Sequence, residues 1–131
     1  MSSTKFILVD DEPDVKEIYE VFISNILGRD FLFEFFLNGK ECMDYLESNY
    51  NKDESYFIIT DINMPVMDGF TLLKNLREQY SDIEVALCSA YDSADYKSKG
   101  RDLGASRFIA KPVDFEEVAT LIEKRLDGVA S

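Results

Sequence analysis

Short apolar runs alternate along the chain with stretches of helical periodicity. Residues 5–9, 31–37, 56–62, 84–90 and 107–110 read as strands. The first, third and fourth runs are apolar on consecutive positions, as expected of strands covered on both faces. After the first strand, Val15, Ile18, Tyr19, Phe22 and Ile26 fall on one helical face; Pro13 suits the first turn and Gly28 the stop. Asn38-Gly39 leads into a second helix with Cys42, Met43, Leu46 and Tyr45 inward, and 48–55 is polar enough to be a loop. Phe70, Leu73, Leu76 and Tyr80 mark a third helix. A fourth, over 93–103, is weakly encoded, with few apolar residues and Gly100 inside it. Phe115, Val118, Leu121, Ile122 and Leu126 mark the fifth, and 128–131 read as a frayed tail.

Five strand–helix pairs predict a doubly wound α/β fold: a five-stranded parallel sheet with helices on both faces. Right-handed crossovers favour strand order 2-1-3-4-5, whose switch point lies between strands 1 and 3. All strand carboxyl ends share one edge. Asp10-Asp11 follow strand 1 there, Asp61 strand 3, Ser89 strand 4 and Lys111 strand 5.

The 131 residues fit one domain, 1–131, with its core over about 5–127. A net charge of -12 opposes binding to nucleic acid phosphates. The N-terminus has no long apolar stretch, so neither a signal peptide nor a membrane span is expected. Two cysteines, Cys42 and Cys88, form no disulfide framework and suit a reducing, cytoplasmic setting. The chain contains no histidine, which excludes Ser-His-Asp and Cys-His catalysis and imidazole metal sites. A metal here is held by oxygens, which favours Mg²⁺, Mn²⁺ or Ca²⁺.

Each site residue has two readings in isolation. Asp10 and Asp11 chelate a divalent ion, or they are acids favoured at a helix start. Asp61 caps its loop, or it is a functional carboxylate at the mouth of a buried strand. Lys111, kept out of helical geometry by Pro112, is a surface charge or a point charge reaching the acids. Ser89 ends a strand, or it donates to a phosphoryl oxygen. Phe108 is core packing or a switch, and Gly69 most simply supplies a turn. Proximity weighs on the side of function. Two like charges about 4 Å apart repel by about 4 kcal/mol at an effective dielectric of 20, so three clustered acids need a cation or a proton.

Asp10-Asp11, Asp61 within Asp61-Ile62-Asn63-Met64-Pro65-Val66-Met67-Asp68-Gly69, Ser89-Ala90 and Lys111-Pro112 together resemble the receiver domain of two-component response regulators. The resemblance implies a flavodoxin-like receiver fold in which Asp61 accepts a phosphoryl group from a sensor histidine kinase or histidine phosphotransfer protein. It implies Mg²⁺ held by Asp11, Asp61 and the backbone carbonyl of Asn63, with Asp10 acting through water. Lys111 and Ser89 would contact the phosphoryl oxygens, and Phe108 would turn inward as Ser89 moves. The protein would assist its own phosphorylation and dephosphorylation rather than act as a conventional enzyme. The face of helix 4, strand 5 and helix 5 would signal to an output partner or form a homodimer. Tyr91 and Asn63 stand where that family tunes dephosphorylation. Three rival functions are a flavin carrier on the same topology, a phosphatase with Asp61 as nucleophile and an interaction module with a receiver fold. A flavin carrier is opposed by the acidic loop after strand 1. A phosphatase usually needs a second acid where Asn63 stands. A receiver-like interaction module without phosphorylation is opposed by the complete acid set.

Overall fold

The computed structural model describes residues 4–91 and 93–126. Five strands alternate with five helices: β1 (Thr4–Val9), α1 (Asp14–Leu27), β2 (Glu34–Phe36), α2 (Gly39–Asn49), β3 (Ser55–Asp61), α3 (Gly69–Gln79), β4 (Glu84–Ser89), α4 (Ala94–Asp102), β5 (Arg107–Ala110) and α5 (Phe115–Leu126). All pairings are parallel, in the order β2-β1-β3-β4-β5. Among the described residues, no helix is long and apolar enough to cross a membrane. The tail expected over 128–131 lies outside the described residues.

Consecutive apolar residues serve opposite faces of the sheet. Phe6, Leu8, Phe57, Ile59, Cys88 and Ile109 face Tyr19 and Ile23 of α1 and Val118, Leu121 and Ile122 of α5. Ile7, Val9, Ile58, Val85 and Leu87 face Cys42 and Leu46 of α2 and Phe70, Leu72, Leu73 and Leu76 of α3. The helix starts are built from local capping. The Asn38 and Asp68 side chains accept from the N–H of Glu41 and Thr71, and Ser93 accepts from Tyr96. Gly28 ends α1 with φ 73°, a left-handed value that glycine adopts without penalty.

Two expectations change. The aromatic run 31–37 yields a strand of only three residues. The Phe31 N–H donates to Ser24 Oγ of α1 at 2.9 Å, not to the sheet. Phe31 meets Phe6 edge-on at 5.4 Å and stacks on Phe33 at 4.8 Å, so these rings plug the core rather than extend β2. The inward face of α1 is also rotated. Tyr19 and Ile23 are buried, with Val15 and Leu27 packed beside them, whereas Ile18, Phe22 and Ile26 are 41%, 50% and 38% exposed. With apolar residues over most of the circumference, periodicity does not select the centre of the stripe. Packing against the sheet and α5 does.

The opposite edge of the sheet is tied to α5 by charge. Arg125 Nε donates to Glu84 Oε1 at 2.8 Å, its Nη2 donates to Oε2, and its guanidinium lies 4.3 Å from the Phe57 ring centroid. Burial raises the Glu84 pKa, but the Arg125 hydrogen bonds and charge, with help from Ser106, outweigh it and hold the carboxyl below its ordinary range. A carboxyl lowered on folding stabilises the fold above its unfolded pKa, and that contribution disappears as pH falls through the folded value. Glu84→Gln is therefore expected to cost about 1–2 kcal/mol at neutral pH. Urea unfolding of both proteins should show the gap closing in acid; a gap independent of pH contradicts the assignment.

Candidate functional site

The parallel register brings the strand ends side by side: Val9 pairs with Thr60, Asp61 with Cys88, and Ser89 with Ala110. Asp10 continues β1 by one rung, its N–H donating to the Phe36 carbonyl at 3.0 Å. The Asp10 carboxylate is fixed by the Glu12 N–H, 3.0 Å from Oδ1. The Lys111 N–H donates to the Ser89 carbonyl at 2.9 Å, and the Lys111-Pro112 bond is cis. These rungs aim Lys111 at the acids. Its Nζ lies 3.0 Å from Asp61 Oδ2 and 3.5 Å from Asp10 Oδ2. Asp61 Oδ1 accepts from the Ile62 N–H at 2.9 Å.

One carboxylate oxygen from each of Asp10, Asp11 and Asp61 lies within 4.8 Å of the others. Asp10 and Asp61 are buried, at 5% and 8% exposure, while Asp11 is exposed. A set of hard anionic oxygens, two of them taken from water, fits a small divalent cation such as Mg²⁺. Burial, reinforced by the charge of Asp10, raises the Asp61 pKa above the ordinary carboxylate value; Lys111 and the Ile62 N–H oppose this only in part. Burial lowers the Lys111 pKa, but Asp61 and Asp10 outweigh it and the net shift is upward. The two acids thus favour the charge on Lys111, while burial and Asp10 oppose the charge on Asp61. Burial, with the neighbouring acids, pushes the thiol of Cys88, paired with Asp61 in register, up to about 12 against the pull of Lys111, which makes it a poor nucleophile.

The remaining predicted residues lie around this centre. Ser89 is buried at 1% exposure, and its Oγ accepts from the Tyr91 N–H at 3.0 Å. Phe108 is half-buried, paired in register with Leu87, with Lys97 Nζ 6.0 Å from its ring centroid. Asn63 is exposed at the rim. Two features escaped sequence reading. Gly69 is not a turn residue in the ordinary sense. A Cβ there would sit 2.4 Å from the Asp61 carbonyl oxygen and 2.8 Å from Ile62 Cα. Glycine is needed because the start of α3 lies against the backbone of the central acid. Tyr96, in the first turn of α4, reaches Asn63; only the tertiary fold reveals that pairing.

Without a cation the acids repel, and Lys111 offsets Asp10 and Asp61 more than it offsets Asp11. Asp11→Asn in chelator is expected to raise Tm by about 1–3 °C, small because Asp11 is solvated. Thermal unfolding decides it, and an unchanged or lower Tm counts against clustered repulsion.

A doubly wound sheet with three carboxylates and a lysine at its switch point defines a class of α/β protein that handles charged groups at the sheet's carboxyl edge. Comparison with known proteins narrows this. The family model of the response regulator receiver domain matches residues 6–123. Response regulator Rre1 of Synechocystis sp. is 30% identical over 122 residues, covering 92% of this chain and 50% of that protein. Sporulation initiation phosphotransferase F of Bacillus subtilis is 25% identical over 127 residues, covering 96% of each. The Francisella response regulator 1452 receiver domain matches with a TM-score of 0.78 at 26% identity, covering 95% of this chain and 97% of that one. Chemotaxis protein CheY4 of Vibrio cholerae matches with 0.76 at 23% identity, covering 96% and 100%. The chain belongs to the response regulator receiver domain family. It spans about half the length of the first curated relatives it matches.

Proposed function

We propose that this receiver domain, spanning the whole chain, takes a phosphoryl group from the phosphohistidine of a sensor kinase or phosphotransfer protein onto Asp61. The observation that carries this reading is the pairing of Lys111 with a buried Asp61 that stands within chelating distance of Asp10 and Asp11. An Asp61 carboxylate oxygen attacks phosphorus as the P–N bond breaks. The electron pair leaves with the imidazole, which takes up a proton, and an acyl phosphate remains. Asp11, Asp61 and the Asn63 carbonyl, with Asp10 through water, would hold Mg²⁺, which when bound would supply charge neutralisation at the phosphoryl oxygens; Mn²⁺ and Ca²⁺ would suit the same donors. Lys111 places a fixed positive charge on the other side, and Ser89 donates its hydroxyl to a phosphoryl oxygen. Positioning and electrostatics carry the step.

The partner chemistry follows from two surfaces. Helix α1 starts directly after the acidic loop and shows Ile18, Val21, Phe22 and Ile26 to solvent, a face suited to the phosphodonor's own helices. The α4–β5–α5 face, with half-buried Phe108 on β5, is the surface for an output partner or a second copy. Rearrangement there is a population shift between two states. The reducing setting suggested by the free thiols of Cys42 and Cys88 fits a cytoplasmic two-component pathway.

Incubation with acetyl phosphate and Mg²⁺ tests the reading by intact mass. One added phosphoryl group is expected, and none with the metal chelated. No gain in either arm overturns it.

A further inference from the structure

Tyr96 is fixed at three points. Its N–H is capped by Ser93 Oγ at 3.2 Å. Its half-buried ring meets buried Phe70 edge-on at 5.3 Å and leans on Tyr91 at 5.8 Å. Its hydroxyl stands 3.5 Å from Asn63 Oδ1. That last distance is long for an O–H···O bond, so the link is weak and readily broken and remade. It is nevertheless a direct link from an α4 side chain to the loop after Asp61. Asn63 follows the acid by two residues and is otherwise exposed at the rim. Tyr91 connects the same cluster to Ser89, whose Oγ accepts its N–H.

We propose that Tyr96 is a positioning residue that sets the lifetime of the phosphoryl group on Asp61 by holding the Asn63 amide toward α4. The inference rests on the acceptor reading above. Loss of the group is hydrolysis. A water oxygen bonds to phosphorus as the bond from phosphorus to the Asp61 oxygen breaks. The electron pair returns to the carboxylate, and a water proton goes to solvent, leaving aspartate and inorganic phosphate. A free carboxamide at the rim can hydrogen-bond and orient that water. With its oxygen engaged by the Tyr96 hydroxyl of α4, the Asn63 side chain is kept from that task. The tyrosine hydroxyl therefore slows hydrolysis without touching the reacting atoms. The phosphoryl transfer step itself, which depends on Asp61, Lys111 and the acid cluster, does not involve it.

Tyr96→Phe removes only the hydroxyl and keeps the ring against Phe70 and Tyr91. The 131-residue chain and its variants are loaded with acetyl phosphate and Mg²⁺, the donor is removed, and the phosphorylated fraction is followed by intact mass. Tyr96→Phe should load as the parent does and lose its phosphoryl group about threefold to fivefold faster, the scale of one weak neutral hydrogen bond. In an Asn63→Ala background, which keeps the backbone carbonyl, the same substitution should change nothing. Equal or slower loss in Tyr96→Phe, or an acceleration that survives in Asn63→Ala, overturns the inference while leaving Asp61 as the acceptor. Failure of the parent to load removes the acceptor reading, and the inference with it.

Discussion

Asp61→Asn should accept no phosphoryl group from acetyl phosphate and Mg²⁺, a loss on the order of 10²-fold or more in rate. The amide is nearly isosteric with the carboxylate, and its oxygen can still receive the Lys111 or Ile62 donors. It has no anionic oxygen with which to attack phosphorus. Burial and Asp10 both oppose the charge on Asp61, so neutralising it should leave the fold intact. Intact mass read alongside thermal unfolding separates lost chemistry from lost structure. A phosphoryl mass on a folded Asp61→Asn protein would place the acceptor elsewhere.

Gly69→Ala should damage the site from behind. The new methyl would meet the Asp61 carbonyl oxygen at 2.4 Å and Ile62 Cα at 2.8 Å. These are backbone atoms in the central strand's exit, not side chains that can rotate away. Gly69 also donates its N–H to the Ile62 carbonyl at 2.8 Å, so α3 cannot withdraw without breaking that bond. Overpacking against a rigid wall costs about 2–3 kcal/mol, a fall in Tm of about 10 °C for a domain this size. Phosphoryl acceptance should drop as well, because the displaced group carries Asp61 itself. A variant with parental Tm and parental loading would show that the start of α3 gives way freely.

The sheet and the convergence of Asp10, Asp11, Asp61, Lys111 and Ser89 on one edge were legible because they follow from two strong local signals: apolar runs of strand length, and polar residues directly after them. Parallel topology then does the rest, since it leaves few ways to arrange five such units. What could not be read depends on contacts between elements distant in sequence. Of the α1 stripe, Tyr19 and Val15 do face the core, but packing against the sheet and α5 also selected Ile23 and left Ile18, Phe22 and Ile26 largely to solvent. The Phe31 ring has strand propensity, but the Ser24 hydroxyl claims its N–H. Gly69 passes for a turn glycine until the backbone of Asp61 is seen beside it. Tyr96 offers no spacing clue at all, as 33 residues separate it from Asn63.

The Lys111 ammonium sits where it can answer two of the three negative charges unaided. The chain's own cation thus already balances part of the acidic cluster, with Asp11 left the least compensated of the three. On the function proposed above, magnesium and phosphate would come and go while the chain around them stays folded, and the receiver would be reset without being rebuilt.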